Sequence, residues 1–142
     1  MKIIKHDNKR LVVDFPGECI CDLFDVVGFI NTHKNRSKDT GEVLYPFMQE
    51  LETVLYYAVK SAAIGRSDDG ENSLSVKALS YTAGSLIVEF PAKCFKDLYD
   101  VVADFNCFNN QTKIPGLVIY PFMQEFEQAL RTSKPAKKGG ER

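Results

Sequence analysis

Tyr45-Pro46-Phe47-Met48-Gln49-Glu50 recurs unchanged as Tyr120-Pro121-Phe122-Met123-Gln124-Glu125, 75 residues further along the chain. The same offset carries Phe15-Pro16 onto Phe90-Pro91, and no gap is needed between these anchors. Cys19, Asp22, Leu23, Asp25, Val26, Val27, Asn31, Asn35, Lys38 and Gly41 each meet the same residue type at that spacing. Other exchanges are mostly mild, as between Phe24 and Tyr99 or Leu44 and Ile119. The chain is a tandem duplication. Its period is too long and its copies too few for a solenoid, so the copies are read as halves of one domain.

Working outward from the hexapeptide, Pro46 suits the first turn of a helix, where its missing N–H costs nothing. The helix starts near Tyr45, and apolar residues at helical spacing run through Phe47, Met48, Leu51, Val54, Leu55, Ala58 and Val59 to about Ala63; its counterpart runs from Tyr120 through Phe122, Met123, Phe126 and Leu130 to about Thr132. Upstream, Cys19, Leu23, Val26, Val27 and Ile30 form a second helical stripe over about residues 17–32, repeated by Cys94, Leu98, Val101, Val102 and Phe105. Before each stripe lie two β-prone runs: Lys2–His6 and Leu11–Phe15 around Asp7-Asn8-Lys9-Arg10, then Leu74–Tyr81 and Ser85–Phe90 around Thr82-Ala83-Gly84. Gly84 is the residue able to supply a positive φ in that tight turn. Pro16 and Pro91 end the strands and suit the first turn of the helix that follows.

Each copy is a β-β-α-α unit. A lone hairpin is barely stable, so the two hairpins are expected to join in a four-stranded antiparallel sheet with the helices packed on it. The result is an α+β fold of pseudo-twofold symmetry, like an isologous dimer fused into one chain. The expected organisation is a single globular domain over 1–133, with repeats 1–64 and 74–133. The polar segment 65–73 links them, and 134–142 forms a disordered basic tail.

The bulk properties exclude several classes. At 142 residues, 44% apolar and 26% charged, the chain can build a core of its own. A net charge of −1 recruits neither nucleic acid nor an anionic membrane surface, and no apolar run is long enough to span a bilayer. The start of the chain lacks a signal-peptide pattern, so a cytoplasmic location is expected. Cys19, Cys21, Cys94 and Cys107 form no C-x-x-C pair. Buried thiols, rather than a disulfide framework or a zinc site, are expected of Cys19 and Cys94.

Candidate chemistry is sparse. Asp22 with Asp25, and Asp97 with Asp100, could pair around a cation, but no further ligand accompanies both pairs and acids in early helical turns are ordinary. His6 and His33 meet Tyr81 and Phe108 in the other copy and sit in no catalytic or metal-binding spacing, so both are read as exposed and without a role. No phosphate-binding or nucleophile motif is present, so neither an enzyme nor a cofactor is expected. Tyr45, Gln49, Tyr120 and Gln124 could line a symmetric cleft, but a core role for the hexapeptide is the stronger reading.

The loops between the helices of each copy carry more information. The first, His33 to Gly41, is basic; the second, Phe108 to Gly116, is neutral and partly apolar. Loops held on a rigid scaffold are where recognition usually lies. Asn35, Arg36, Lys38, Asn110 and Lys113 are therefore the candidate binding residues. The Asn positions also have a turn-forming explanation that the lysines lack. The expected function is a non-enzymatic adaptor, regulator or inhibitor that binds a protein partner through these loops. The alternative is a small-molecule or nucleotide binder using a cleft between the repeats. Nucleic acid is disfavoured by the balanced charge.

Overall fold

In a computed structural model, residues 1–60, 75–82, 84–114 and 116–133 are described. In chain order the elements are β1 (Lys2–His6), β2 (Arg10–Pro16), α1 (Ile20–His33), α2 (Pro46–Lys60), β3 (Lys77–Thr82), β4 (Ser85–Pro91), α3 (Phe95–Phe108) and α4 (Pro121–Thr132). The expected linker 65–73, the end of the second helix near Ala63, Leu74 and the tail 134–142 lie outside the described residues; the strand expected from Leu74 begins at Lys77, with Ser75 and Val76 outside it. So does Ala83, which precedes Gly84 in the second hairpin turn. Positive φ occurs instead at Gly41 (75°) and Gly116 (87°), equivalent positions of the two interhelix loops. There glycine avoids the clash a Cβ would bring to a left-handed backbone.

The repeat governs element boundaries closely. β2 and β4, the two 3-10 turns Gly17–Cys19 and Ala92–Cys94, and α1 and α3 coincide at the 75-residue offset. The helix expected from residue 17 opens with this 3-10 turn and becomes α-helical only at Ile20. Pro16 and Pro91 end their strands and precede the turns, with φ of −59° and −60°. Pro46 and Pro121 do begin their helices.

The strands form one four-stranded antiparallel sheet in the order β1-β2-β4-β3, which reads the same after exchange of the repeats. Both hairpins carry an irregularity at the same place, between Ile3 and Lys5 and between Ala78 and Ser80. The inward residues are those the periodicity selects. Leu11, Val13 and Phe15 of β2 and Leu86, Val88 and Phe90 of β4 are fully buried, as are Leu55, Leu98 and Leu130. Cys19 and Cys94 are buried and none of the four cysteines is in a disulfide. Burial pushes the Cys19 thiol up to about 11, and its Sγ donates to the Pro16 carbonyl at 3.3 Å. A thiol held protonated in this way is a poor nucleophile.

Compactness crosses the repeats. One unit comprises Met1–Asp14 with Phe90–Arg142; the other is Phe15–Glu89. In the first, β1 packs along α4 and the Ala92 N–H donates to the Lys9 carbonyl at 3.0 Å. In the second, α2 packs along β3 and the Gly17 N–H donates to the Gly84 carbonyl, also at 3.0 Å. Gly17 matches Ala92 and Lys9 matches Gly84, so this is one hydrogen bond made twice, as pseudo-twofold symmetry requires. Glu50 accepts the N–H groups of Ser75 and Val76 at 2.7 and 2.9 Å. Its counterpart Glu125 lies 3.8 Å from the Met1 nitrogen, the position equivalent to Val76. Each hairpin thus lies against the helices of the other copy.

Candidate functional site

The interhelix loops are small antiparallel ribbons closed by the same device. At the end of α1, the Asn35 amide donates to Asn31 Oδ1 at 2.6 Å and to the Tyr45 carbonyl at 3.0 Å, and Asn35 Oδ1 accepts the Tyr45 N–H at 2.6 Å. Asn31 in turn donates to the Met48 carbonyl at 3.0 Å and to Glu52 at 2.7 Å. After α3 the set recurs: Asn110 to Asn106 at 2.6 Å, Asn110 to Tyr120 O at 3.0 Å, and Tyr120 N–H to Asn110 at 2.7 Å. Asn106 donates to Met123 O at 2.9 Å and to Glu127 at 2.8 Å. The four asparagines are buried. A polar side chain can be buried at low cost only when its hydrogen bonds are made, and here each Asn locks the last turn of one helix to the first turn of the next.

This network accounts for much of what the two copies share. Tyr45 and Tyr120 are gripped through their backbones, the prolines start helices, and Met48 and Met123 are 1% exposed core residues. Glu50 anchors the backbone at the start of the second hairpin. Gln49 and Gln124 are exposed. Of the candidate binding residues, Asn35 and Asn110 lie inside the clamp, with their amide groups turned onto the protein. Arg36, Lys38 and Lys113 are exposed, and Arg36 donates to its own loop at the Gly41 carbonyl, 3.0 Å away. The clamp holds the loops; their surface belongs to other residues.

That surface differs sharply between copies. The second loop runs as a ribbon through the Gln111–Val118 bridge, with Thr112 N–H to Leu117 O at 3.1 Å and Ile119 N–H to Asn110 O at 3.2 Å. Phe108, at the end of α3, and Ile114, Leu117 and Ile119 of the loop have exposures of 68, 61, 51 and 45%. Their equivalents in the first loop are His33, Asp39, Glu42 and Leu44. Leu117 and Ile119, two apart on one ribbon strand, share a side. Composition had marked this loop only as partly apolar, because no pattern within it announces that these side chains stay outside the core.

His6 is the clear departure from expectation. It is 8% exposed, its ring centroid lies 4.5 Å from that of Phe95, and its Nδ1 is hydrogen-bonded to Ser133 Oγ at 2.6 Å. The end of α4 covers a position whose sequence neighbourhood is polar, so local composition could not reveal the burial. Desolvation pulls its pKa below the ordinary histidine value, against a smaller opposing pull from Asp7. The unfolded chain takes up a proton at about pH 6.5, whereas the folded chain resists it. The stability His6 contributes is therefore present above that pH and lost as pH falls through the lowered folded pKa. The melting temperature should drop more steeply between about pH 7 and 5 for the natural chain than for His6→Tyr, which installs the other copy's residue. Equal slopes would show that His6 charges freely in the folded state.

The remaining chemistry is thin. Asp22, Asp25, Asp97 and Asp100 are exposed, and Asp100 lies 3.4 Å from Lys96. Among the described residues no three His, Cys, Asp or Glu side chains gather as metal ligands, and no helix is long and apolar enough to cross a membrane. Compared with protein-family models, curated proteins and solved structures, the chain matches none.

Proposed function

We propose that this protein is a non-enzymatic interaction module, an adaptor, regulator or inhibitor that docks a protein partner through its interhelix loops, chiefly the second. The observation that carries this reading is the exposure, 45% or more each, of Phe108 at the end of α3 and of Ile114, Leu117 and Ile119 in the loop that follows, whose base is locked by Asn110. Large apolar side chains left exposed mark partner sites, and a loop held at its base by hydrogen bonds loses less entropy on binding. Arg36 and Lys38 of the first loop supply charge suited to steering encounter with a partner. Reduced thiols, with Cys21 and Cys107 exposed, suit a reducing compartment such as the cytoplasm.

Affinity capture with the full chain tests the reading. Ile114→Asp/Leu117→Asp should melt like the natural chain, since exposed substitutions usually shift stability by no more than about 0.5 kcal/mol, and should lose the captured protein. Arg36→Ala/Lys38→Ala should weaken capture less, and mostly at low salt. Retention of the same protein by the Ile114/Leu117 variant would remove the second loop from the interface.

A further inference from the structure

β1 is an edge strand of the sheet, and a groove of about 520 Å³ runs beside it. Its walls are Met1 to His6 on one side and Ala129, Thr132 and Ser133, at the end of α4, on the other. In an antiparallel ladder alternate backbone groups point away from the partner strand, so an edge strand presents unpaired N–H and C=O groups along its outer side. Ala129 and Thr132 are small; the equivalent residues of the first copy are Val54 and Tyr57.

The irregularity in β1 gives this edge its charge. Lys2 faces Asp14 and Lys5 faces Val12 across the ladder. Asp14 and Val12 are two apart, so Lys2 and Lys5 share a face. In a regular strand, residues three apart would point to opposite faces. In β3 the equivalent positions are Lys77 and Ser80, with only one cation. Lys2 and Lys5 line the groove and no acid does. The acids around it are Asp14, opposite Lys2 in the ladder, Asp7, 3.9 Å from Lys5 Nζ, and Glu125 beside Met1. Asp7 already accepts the backbone N–H groups of Lys9 and Arg10.

We propose that β1 accepts an extended acidic peptide segment of a partner protein, which adds to the sheet as a strand in this groove. Backbone hydrogen bonds to the edge supply affinity, and a row of carboxylates opposite Lys2 and Lys5 supplies selectivity. The same lysines disfavour a second copy of β1 at the edge, because like charges would then face each other. The surface is separate from the interhelix loops, so the proposal stands or falls independently of the reading above.

The test uses the full chain, isotope-labelled, and the blocked peptide Glu-Val-Glu-Val-Glu-Val, whose glutamates share one face when extended. Addition of the peptide should shift the amide resonances of Lys2 to His6 and slow their hydrogen exchange, leaving those of Gln111 to Ile119 unchanged. The lysine counterpart Lys-Val-Lys-Val-Lys-Val should not bind. Lys2→Glu/Lys5→Glu should weaken binding about tenfold or more at low salt, and Lys2→Gln/Lys5→Gln provides the same comparison should charge reversal disturb the fold. Several results would overturn the proposal: no response in β1 at millimolar peptide, equal binding by the substituted chains, the same response to free glutamate, or protection of β1 by dimerisation without peptide.

Discussion

Met123→Ala should destabilise the folded protein by about 2–5 kcal/mol, the range for emptying a buried Met site, and Met48→Ala should do the same. Both side chains are 1% exposed, one turn into α4 and α2 respectively, where the apolar stripe of each helix meets the core. A cavity here cannot be refilled cheaply, because the backbone carbonyls of these same residues are held by Asn106 and Asn31. The helix start is therefore not free to slide inward. Leucine, close in volume, should cost less than about 1.5 kcal/mol at either site. Denaturant unfolding measures both substitutions. A loss below about 0.5 kcal/mol for either alanine variant, the level of a surface change, would show that the methionine is not a core residue and would reopen a functional role for the hexapeptide.

The clamp asparagines should matter nearly as much, for a different reason. Asn110→Ala removes two donated hydrogen bonds and one accepted one, stranding Asn106 Oδ1 and the Tyr120 N–H, while the Tyr120 carbonyl still accepts from the Met123 N–H at 3.0 Å. With about 1–3 kcal/mol for a buried group left without a partner, and partial access of water around Tyr120, the expected loss is about 2–4 kcal/mol. Asn35→Ala should cost a similar amount. Aspartate is the informative control. It keeps the shape and can accept from the Tyr120 N–H, but it cannot donate to Asn106 or to the Tyr120 carbonyl. Asn110→Asp should therefore destabilise about as much as alanine. If aspartate restored stability, the accepted bond alone would be what matters. Loss of Asn110 should also loosen the ribbon, seen as faster exchange of the Thr112 and Ile119 amides, and weaken capture through the second loop without altering any side chain on its surface.

Much of this protein was legible in its sequence because the features concerned are local. The prolines at 16, 46, 91 and 121 and the helical spacing of Leu23, Val26, Val27 and Ile30 act within a few residues, and duplication let each boundary be read twice. The roles of Asn35 and Asn110 were half legible. Their retention in both copies signals a constraint, and asparagine suits a turn. Whether their amides turned outward to a partner or inward to Tyr45 and Tyr120 depended on atoms ten residues away.

The sequence by itself determined two β-β-α-α copies, their element order and the apolar face of each element, because hydrophobic periodicity and turn chemistry are properties of short segments. Only the tertiary structure decided which helices each hairpin packs against. Both copies carry nearly the same pattern, so the first hairpin could satisfy its apolar face against either helix pair, and periodicity cannot choose between equal faces. The fold resolves the choice by exchange, joining Met1–Asp14 to Phe90 onward. That exchange brings Ser133 and Phe95 onto His6 and makes the β1 groove from residues that lie at opposite ends of the described chain. Contacts across such a separation leave no local trace, since the residues on each side satisfy their own segment's pattern equally well without them.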